Sequence, residues 1–278
     1  MKKHALPIST TFPPAGIFTP PEGLRFLHDH GFDSMDFNFV AALDRYGRNW
    51  QDMIEVVKRD ADETGMLIVS GHLPFRGKTP EELDEKIKAC IEMGAALGIK
   101  RAVMPPVGDG KMPAGEENHD YWYAKNIEFY NQYIPLADKA GFKLVTENMR
   151  DAHQAEGCHR YGSTADELIE IADPLGLEIC WDFGHAHIDG VEQSEGIKYV
   201  GKRLKVLHVN DNFATEDEHL PPFIGNIDWR DAMHGLSEVG FDGLLNFELS
   251  TGRLPKGARE AYASLIIESA NALMSYIE

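Results

Sequence analysis

"LEICWDFGHAH", residues 177–187, runs from an apolar stretch straight into Asp182, His185 and His187, loosened by a glycine at 184. A near-continuous apolar run suits a parallel strand covered on both faces, and polar groups at its end suit a site at the strand's C-terminal edge. One such stretch is only a polar loop, so the reading turns on whether other apolar runs end alike. They do. "KLVTENM" (143–149) reaches Glu147, "LKVLHVND" (204–211) reaches His208, "GLLNFEL" (243–249) reaches Glu248, and "MLIVSGH" (66–72) finishes in His72. "HALPIST" (4–10), "FDSMDFNF" (32–39) and "KRAVMPPV" (100–107) complete a set of eight candidate strands.

Helical patterns separate these runs. "EELDEKIKACIEMGAALG" (81–98) puts Leu83, Ile87, Ile91 and Ala95 on one face, starts after Thr79-Pro80 and stops at Gly98, as an N-cap, a first-turn proline and a C-terminal glycine should. Junctions "HGF" (30–32), "LGIK" (97–100), "AGFK" (140–143) and "VGFD" (239–242) repeat the same helix-glycine-strand turn. Eight βα units without a linker-like stretch predict a closed (β/α)₈ barrel, a single domain over 1–278, close to the ~250 residues usual for that fold. No GxGxxG follows the first strand, against a doubly wound dinucleotide fold. The longer polar segments 107–120 and 211–228 follow strands, on the side where a barrel carries its active-site loops.

Lys plus Arg number 27 against 45 Asp plus Glu, a net charge of −18, with no basic run longer than two residues. That field repels phosphate backbones and anionic membranes, so nucleic acid and membrane are not expected partners. No apolar run has membrane-span length, and "MKKHALPIST" lacks a signal-type apolar stretch, so a cytoplasmic protein is expected. Cys90, Cys158 and Cys180, irregularly spaced and without CxxC, read as reduced structural thiols.

Side chains alternate along a strand. In the sixth strand Ile179 and Trp181 therefore face the helices while Cys180 and Asp182 face the barrel axis. The same parity sends Val206 and His208, Asn246 and Glu248, and Val145 and Glu147 inward, and puts Ile68, Ser70 and His72 on one face. Five strand ends then deliver Glu147, Asp182, His208, Glu248 and His72 to one small region. Crowded carboxylates repel unless a cation neutralises them, which points to a divalent metal.

"TEN" (146–148), "WDFGHAH" (181–187), "LHVND" (207–211), "DEHLPPFIGNIDW" (217–229) and "NFE" (246–248) together resemble the xylose isomerase-like superfamily of sugar isomerases and epimerases, which includes endonuclease IV. The resemblance covers strands five to eight by motif and the first half by pattern. It implies Glu147, Asp182, His208 and Glu248 as metal ligands, with His185 and His72 contacting substrate. Endonuclease IV carries a zinc-binding histidine on strand four; here that strand ends "VMPPVG", with Met104. The D-x-H pattern of its third metal persists as Asp217 and His219. With His185 these could hold a second metal, or else bond substrate hydroxyls.

One imidazole and three carboxylates make a mainly oxygen site, suited to Mn²⁺ first, then Mg²⁺ or Co²⁺, with Zn²⁺ also accommodated. Such a cation would polarise a ketose carbonyl and stabilise an enediolate. Glu147 and Glu248, on well-separated strands, would remove and return the proton, giving epimerisation or aldose–ketose isomerisation. Expulsion of a β-hydroxyl, as in an inosose-type dehydratase, or endonuclease IV-like phosphodiester hydrolysis would use the same site. The expected partner is a small-molecule sugar, with a homo-oligomer left open. Phe12, Phe37, Phe75 and Trp229 are candidate pocket linings, the aromatics of 118–133 are expected to pack on the barrel, His153 and His159 are expected in solvent, and His187 is expected to steady its loop.

Overall fold

The computed structural model describes residues 6–11, 17–108, 111–151, 156–250 and 254–277. Phe12, His153 and the first two residues of the first expected strand lie outside them. Strands and helices alternate: β1 (Ile8–Thr10), α1 (Pro20–Asp29), β2 (Ser34–Met35), β3 (Phe37–Asn38), α2 (Phe39–Tyr46), α3 (Gln51–Thr64), β4 (Gly71–His72), α4 (Pro80–Leu97), β5 (Arg101–Val103) and α5 (Glu116–Ala140). Then follow β6 (Lys143–Glu147), α6 (Ala165–Leu175), β7 (Glu178–Asp182), α7 (Phe183–Ile188), α8 (Gln193–Val200), β8 (Leu204–His208), α9 (Trp229–Glu238), β9 (Leu245–Phe247) and α10 (Lys256–Met274).

All strand pairs are parallel, in the orders β3-β4-β5-β6-β7-β8 and β2-β1-β9. Two seams join these arcs into a ring. At the first, β2 and β3 are halves of one strand divided at Asp36, whose N–H donates to Thr10 O on β1 while Phe37 N–H turns the other way, to Ser70 O. At the second, Val209 pairs with Phe247; Val209 N–H donates to Asn246 O at 2.8 Å and Glu248 N–H to Val209 O at 3.2 Å. The result is the expected (β/α)₈ barrel.

Parity along β6 to β9 is as read, whereas Ile68, read with Ser70 and His72 on one face, packs against the large core. Val103, Val145, Cys180 and Val206, from β5 to β8, form their own small cluster inside the barrel. Leu144, Ile179, Trp181, Leu207, Leu245 and Phe247 belong instead to the large core under the helices. Trp181 is fully buried there, and its indole N–H donates to Gln193 Oε1 at 2.9 Å on α8. Helix ends follow the sequence signals: Thr79 accepts from Glu82 N–H at 3.2 Å to start α4, and Gly98, at φ 72°, ends it in the left-handed region.

The strands are shorter than the apolar runs. In 100–107 the last ladder bond is Met104 N–H to Val145 O, 2.8 Å, because Pro105 and Pro106 have no N–H to give. In 66–72 the Val69 carbonyl accepts from both Lys100 and Arg101 N–H, which breaks the regular ladder before Gly71.

Candidate metal and substrate site

Glu147, Asp182 and His208 are the last residues of β6, β7 and β8, and Glu248 follows β9 directly. The strands are parallel, Glu147 lying opposite Cys180 and Asp182 opposite His208, and their final side chains meet above the small interior cluster. One ligating atom from each of the four lies within 4.8 Å of every other. His208 Nδ1 is 2.5 Å from Glu147 Oε1, 3.1 Å from Glu248 Oε2 and 3.9 Å from Asp182 Oδ2. His72, ending β4, brings Nε2 to 3.4 Å from Glu147 Oε2. Asp182, His208 and Glu147 are buried, while Glu248 keeps 27% of its side chain open.

Such crowding forces protons onto some members. Burial opposes ionisation of Glu147, yet His208 and His72 hold it well below the usual carboxylate range. Glu248, partly open and facing His208, is held at about 2. Burial pushes the Asp182 carboxyl up, and Glu147 and Glu248 add to it against the pull of His185. Against its own burial, His208 is raised well above the ordinary imidazole value by Cys180, Glu248 and Glu147. Three carboxylates around one imidazole nitrogen are a deficit of positive charge, and this oxygen-rich donor set fits a divalent cation.

A second cluster stands at the rim. His185, in α7, and His219, in the loop after β8, turn their Nε2 atoms to Asp217 at 3.4 and 3.2 Å. Their Nδ1 atoms lie on carbonyls, His185 on Asn148 O at 2.8 Å and His219 on Glu248 O at 2.9 Å. A carbonyl only accepts, so each Nδ1 carries the hydrogen and each Nε2 faces the cavity. Burial lowers both imidazoles, but Asp182 and Asp217 raise His185 to about 10, and Asp217 with Glu248 raises His219 to about 9. Asp217, between them, is driven far below the carboxylate range despite its burial. His219 has φ 49°, uncommon outside glycine and typical of strained site residues.

A family model described as "Xylose isomerase-like TIM barrel" matches residues 24–268. The chain belongs to that family. An uncharacterized protein of Methanocaldococcus jannaschii, MJ1311, is 25% identical over 266 residues, 91% of this chain and 83% of the relative. The inosose isomerase of Bacillus subtilis is 20% identical over 236 residues, 81% of this chain and 82% of that protein. Among solved structures, a D-tagatose 3-epimerase-like protein superposes with a TM-score of 0.73 at 20% identity, covering 98% of both chains. Other solved neighbours are sugar epimerases, including a D-psicose 3-epimerase and an L-ribulose 3-epimerase.

In this xylose isomerase-like barrel, the two clusters share one cavity of about 730 Å³. Glu147 and Glu248 line it together with His72, His185, Asp217 and His219, and Phe75 and Trp122 join them. On the β5 side the wall is Pro105 and Pro106, with Met104 buried behind it. Two aromatic candidates are corrected: Phe37 packs in the core, and Trp229 is buried against Phe183 with its N–H on Asp211 Oδ2 at 2.9 Å. His159 is corrected too. It is wedged between Asp151 Oδ2 and Glu167 Oε1, each at 2.7 Å, and raised to about 9 mainly by Glu167. The aromatic stripe divides: Tyr130 and Tyr133 pack on the barrel, whereas Trp122 lines the cavity. His187, in α7, brings Nε2 to 2.7 Å from Asn226 Oδ1 on the loop before α9.

Sequence reasoning missed the amides and one acid that hold the ligands. Asn148 brackets the end of β7: its Oδ1 accepts Asp182 N–H at 2.7 Å and its Nδ2 donates to Asp182 O at 2.9 Å. Asp182 Oδ2 accepts from Asn210 Nδ2 at 2.9 Å, and Oδ1 caps α7 by accepting His185 N–H at 2.8 Å. A Cβ at Gly184 would collide with Asn210 Oδ1, so glycine is what lets α7 start this close. Asp211 gathers N–H groups of Asn212, Phe223, Ile227 and Trp229, which ties down the loop carrying Asp217 and His219. The signal was adjacency: Asn148, Asn210 and Asp211 stand one to three residues beyond a strand end.

Proposed function

We propose that the protein is a divalent-metal-dependent epimerase or isomerase of ketoses, with Glu147, Asp182, His208 and Glu248 holding the cation and Glu147 and Glu248 exchanging the proton. The carrying observation is the convergence of those four acceptors at the floor of a sugar-sized cavity. Neighbours named as sugar epimerases, and a relative named inosose isomerase, support the reaction class; the latter adds cyclic polyol ketones to the candidate substrates.

The bound cation supplies Lewis acidity, lowering the cost of negative charge on a carbonyl oxygen. The rest falls to the side chains. Without the cation both glutamates are held ionised by their imidazole neighbours, and the carboxylate is the form that can accept a proton from the carbon beside the carbonyl. Glu147 is buried and Glu248 partly open, which lets them meet the substrate from different sides. Return of the proton to the same carbon inverts it, and return to the neighbouring carbon isomerises the sugar. His185, fixed through its Nδ1–H, turns Nε2 inward to bond the substrate oxygen that gains charge.

Incubating the enzyme with Mn²⁺ and a ketose panel in D₂O tests this directly. Deuterium should enter the carbon next to the carbonyl, and a chelator should stop it. A metal-loaded enzyme that labels no ketose in the panel would overturn the reading.

A further inference from the structure

Outside the cavity several arginines are matched by acids, while Arg45 and Arg259 bond carbonyls and Arg230 lies over the Tyr276 ring. Arg25 meets Asp60 through two nitrogens at 2.7 Å, Arg101 meets Glu178, and Arg203 grips Asp173 at 2.6 and 2.7 Å. Inside the cavity, among the described residues, two arginines have neither an acid nor a carbonyl partner. Arg76 and Arg160 both line it, and among the described residues neither has a carboxylate at ion-pair distance. Arg160 Nε is buried with no hydrogen-bond partner. The side chain is half-buried, and its stem packs beside Gly108. Arg76 lies over the Phe75 ring, 5.0 Å from its centroid. Arg150 joins the same wall, but it is engaged at 3.6 Å with Asp217.

A chain with 45 acidic side chains and a net charge of −18 has no shortage of carboxylates to place beside these guanidiniums. Burial and the neighbouring Arg76 both lower the Arg160 pKa, and Arg76 acts on it more strongly than any carboxylate does. An uncompensated, partly desolvated cation is costly to a fold and persists where something else supplies the counter-charge. A guanidinium fork matches the planar or tetrahedral oxyanion of a carboxylate or phosphate.

We infer that the substrate carries an oxyanion, a carboxylate or a phosphoryl group, at the end remote from its reacting carbons, and that Arg160 with Arg76 receives it. The inference rests on the ketose reading for the rest of the molecule, not for the anion itself. Glu147, Glu248, Arg76 and Arg160 line the same cavity, and one ligand is taken to meet both the glutamates and the guanidiniums. A neutral sugar would leave the guanidiniums as they stand.

The test compares binding by calorimetry for D-fructose, D-fructose 6-phosphate and D-fructuronate on the Mn²⁺-loaded protein, with inorganic phosphate as competitor. An anionic ketose should bind at least ~10-fold more tightly than the neutral one, and phosphate should compete with it. Which of the two anionic ketoses gains more distinguishes phosphoryl from carboxylate. Arg160→Gln should cut the advantage to less than ~3-fold. Arg76→Gln should lower it too, and serves if the first variant does not fold by thermal melting. Equal affinity for neutral and anionic ketoses, or an advantage that survives both variants, overturns the inference. Deuterium exchange with the neutral ketose is read separately. Phosphate binding that is lost in Arg160→Gln supports the anion site even if no ketose exchanges.

Discussion

The two histidine–carboxylate clusters use the same residue types and differ in what holds them. The floor cluster hangs on strand ends, three acids around one nitrogen of His208, each ligand fixed by the sheet register. The rim cluster hangs on α7 and a loop, two imidazoles around one acid, with each imidazole fixed by a carbonyl. The first is short of positive charge and calls for a cation. The second sets two imidazoles against a single carboxylate and presents ring nitrogens to a ligand. Placement on rigid elements suits the part that must bind an ion in fixed geometry, and a tethered loop suits the part that meets a substrate.

Removing one member from each cluster should separate them. His208→Ala should empty the floor, with metal content falling to background and turnover with it. His219→Ala should leave metal content intact. Elemental analysis of the two variants checks this, and equal metal in both would erase the distinction. Within the floor, Glu147→Gln and Glu248→Gln keep an oxygen donor but remove a base, so turnover should drop at least ~10²-fold. Product formed in D₂O without label would point to a hydride shift and remove the pair from its role.

At the rim, His185→Ala should cost about 2 kcal/mol in kcat/KM with metal retained, the size of a hydrogen bond to a charged group. His187→Ala, which loses only the loop contact to Asn226, should lower the melting temperature and spare turnover. Reversal of that order would mean the two histidines had exchanged parts. The smallest effect belongs to His159, an imidazole between two acids away from both clusters. Its folded pKa of about 9 exceeds the ~6.5 of an unfolded imidazole. Its stabilisation is therefore full below ~6.5 and lost as pH rises through about 9. The melting-temperature gap between the protein and His159→Gln should close over that window; a gap that widens instead contradicts the assignment.

Much of this was legible because a strand's two-residue period turns sequence into direction. Parity alone aimed Glu147, Asp182, His208 and Glu248 at one axis, and the structure brings them together. The rim was visible only through D-x-H, since a loop has no period to read. The same limit hid Arg76 and Arg160, whose meaning lies in the acids that are not beside them. Asn148 and Asn210 could be seen next to ligands, but their bonds reach across to a neighbouring strand, and sequence order does not show that. Phe37 and Trp229 went to the core because apolar area at a strand end or helix start is buried by whichever neighbour covers it.

The seam between β8 and β9 is thin: one bridge at Val209 and Phe247, two N–H bonds, and then Glu248. Glu248 comes from one side of that seam and His208 from the other, so an ion gripped by both would act as a clasp on a thin join of the ring. Amide hydrogen exchange would register it. The N–H groups of Val209 and Glu248 open when the seam parts, and their exchange should slow when the floor is loaded, while amides in the well-paired β6–β7 ladder change little. The site would then be a fastening of the barrel as well as its chemistry.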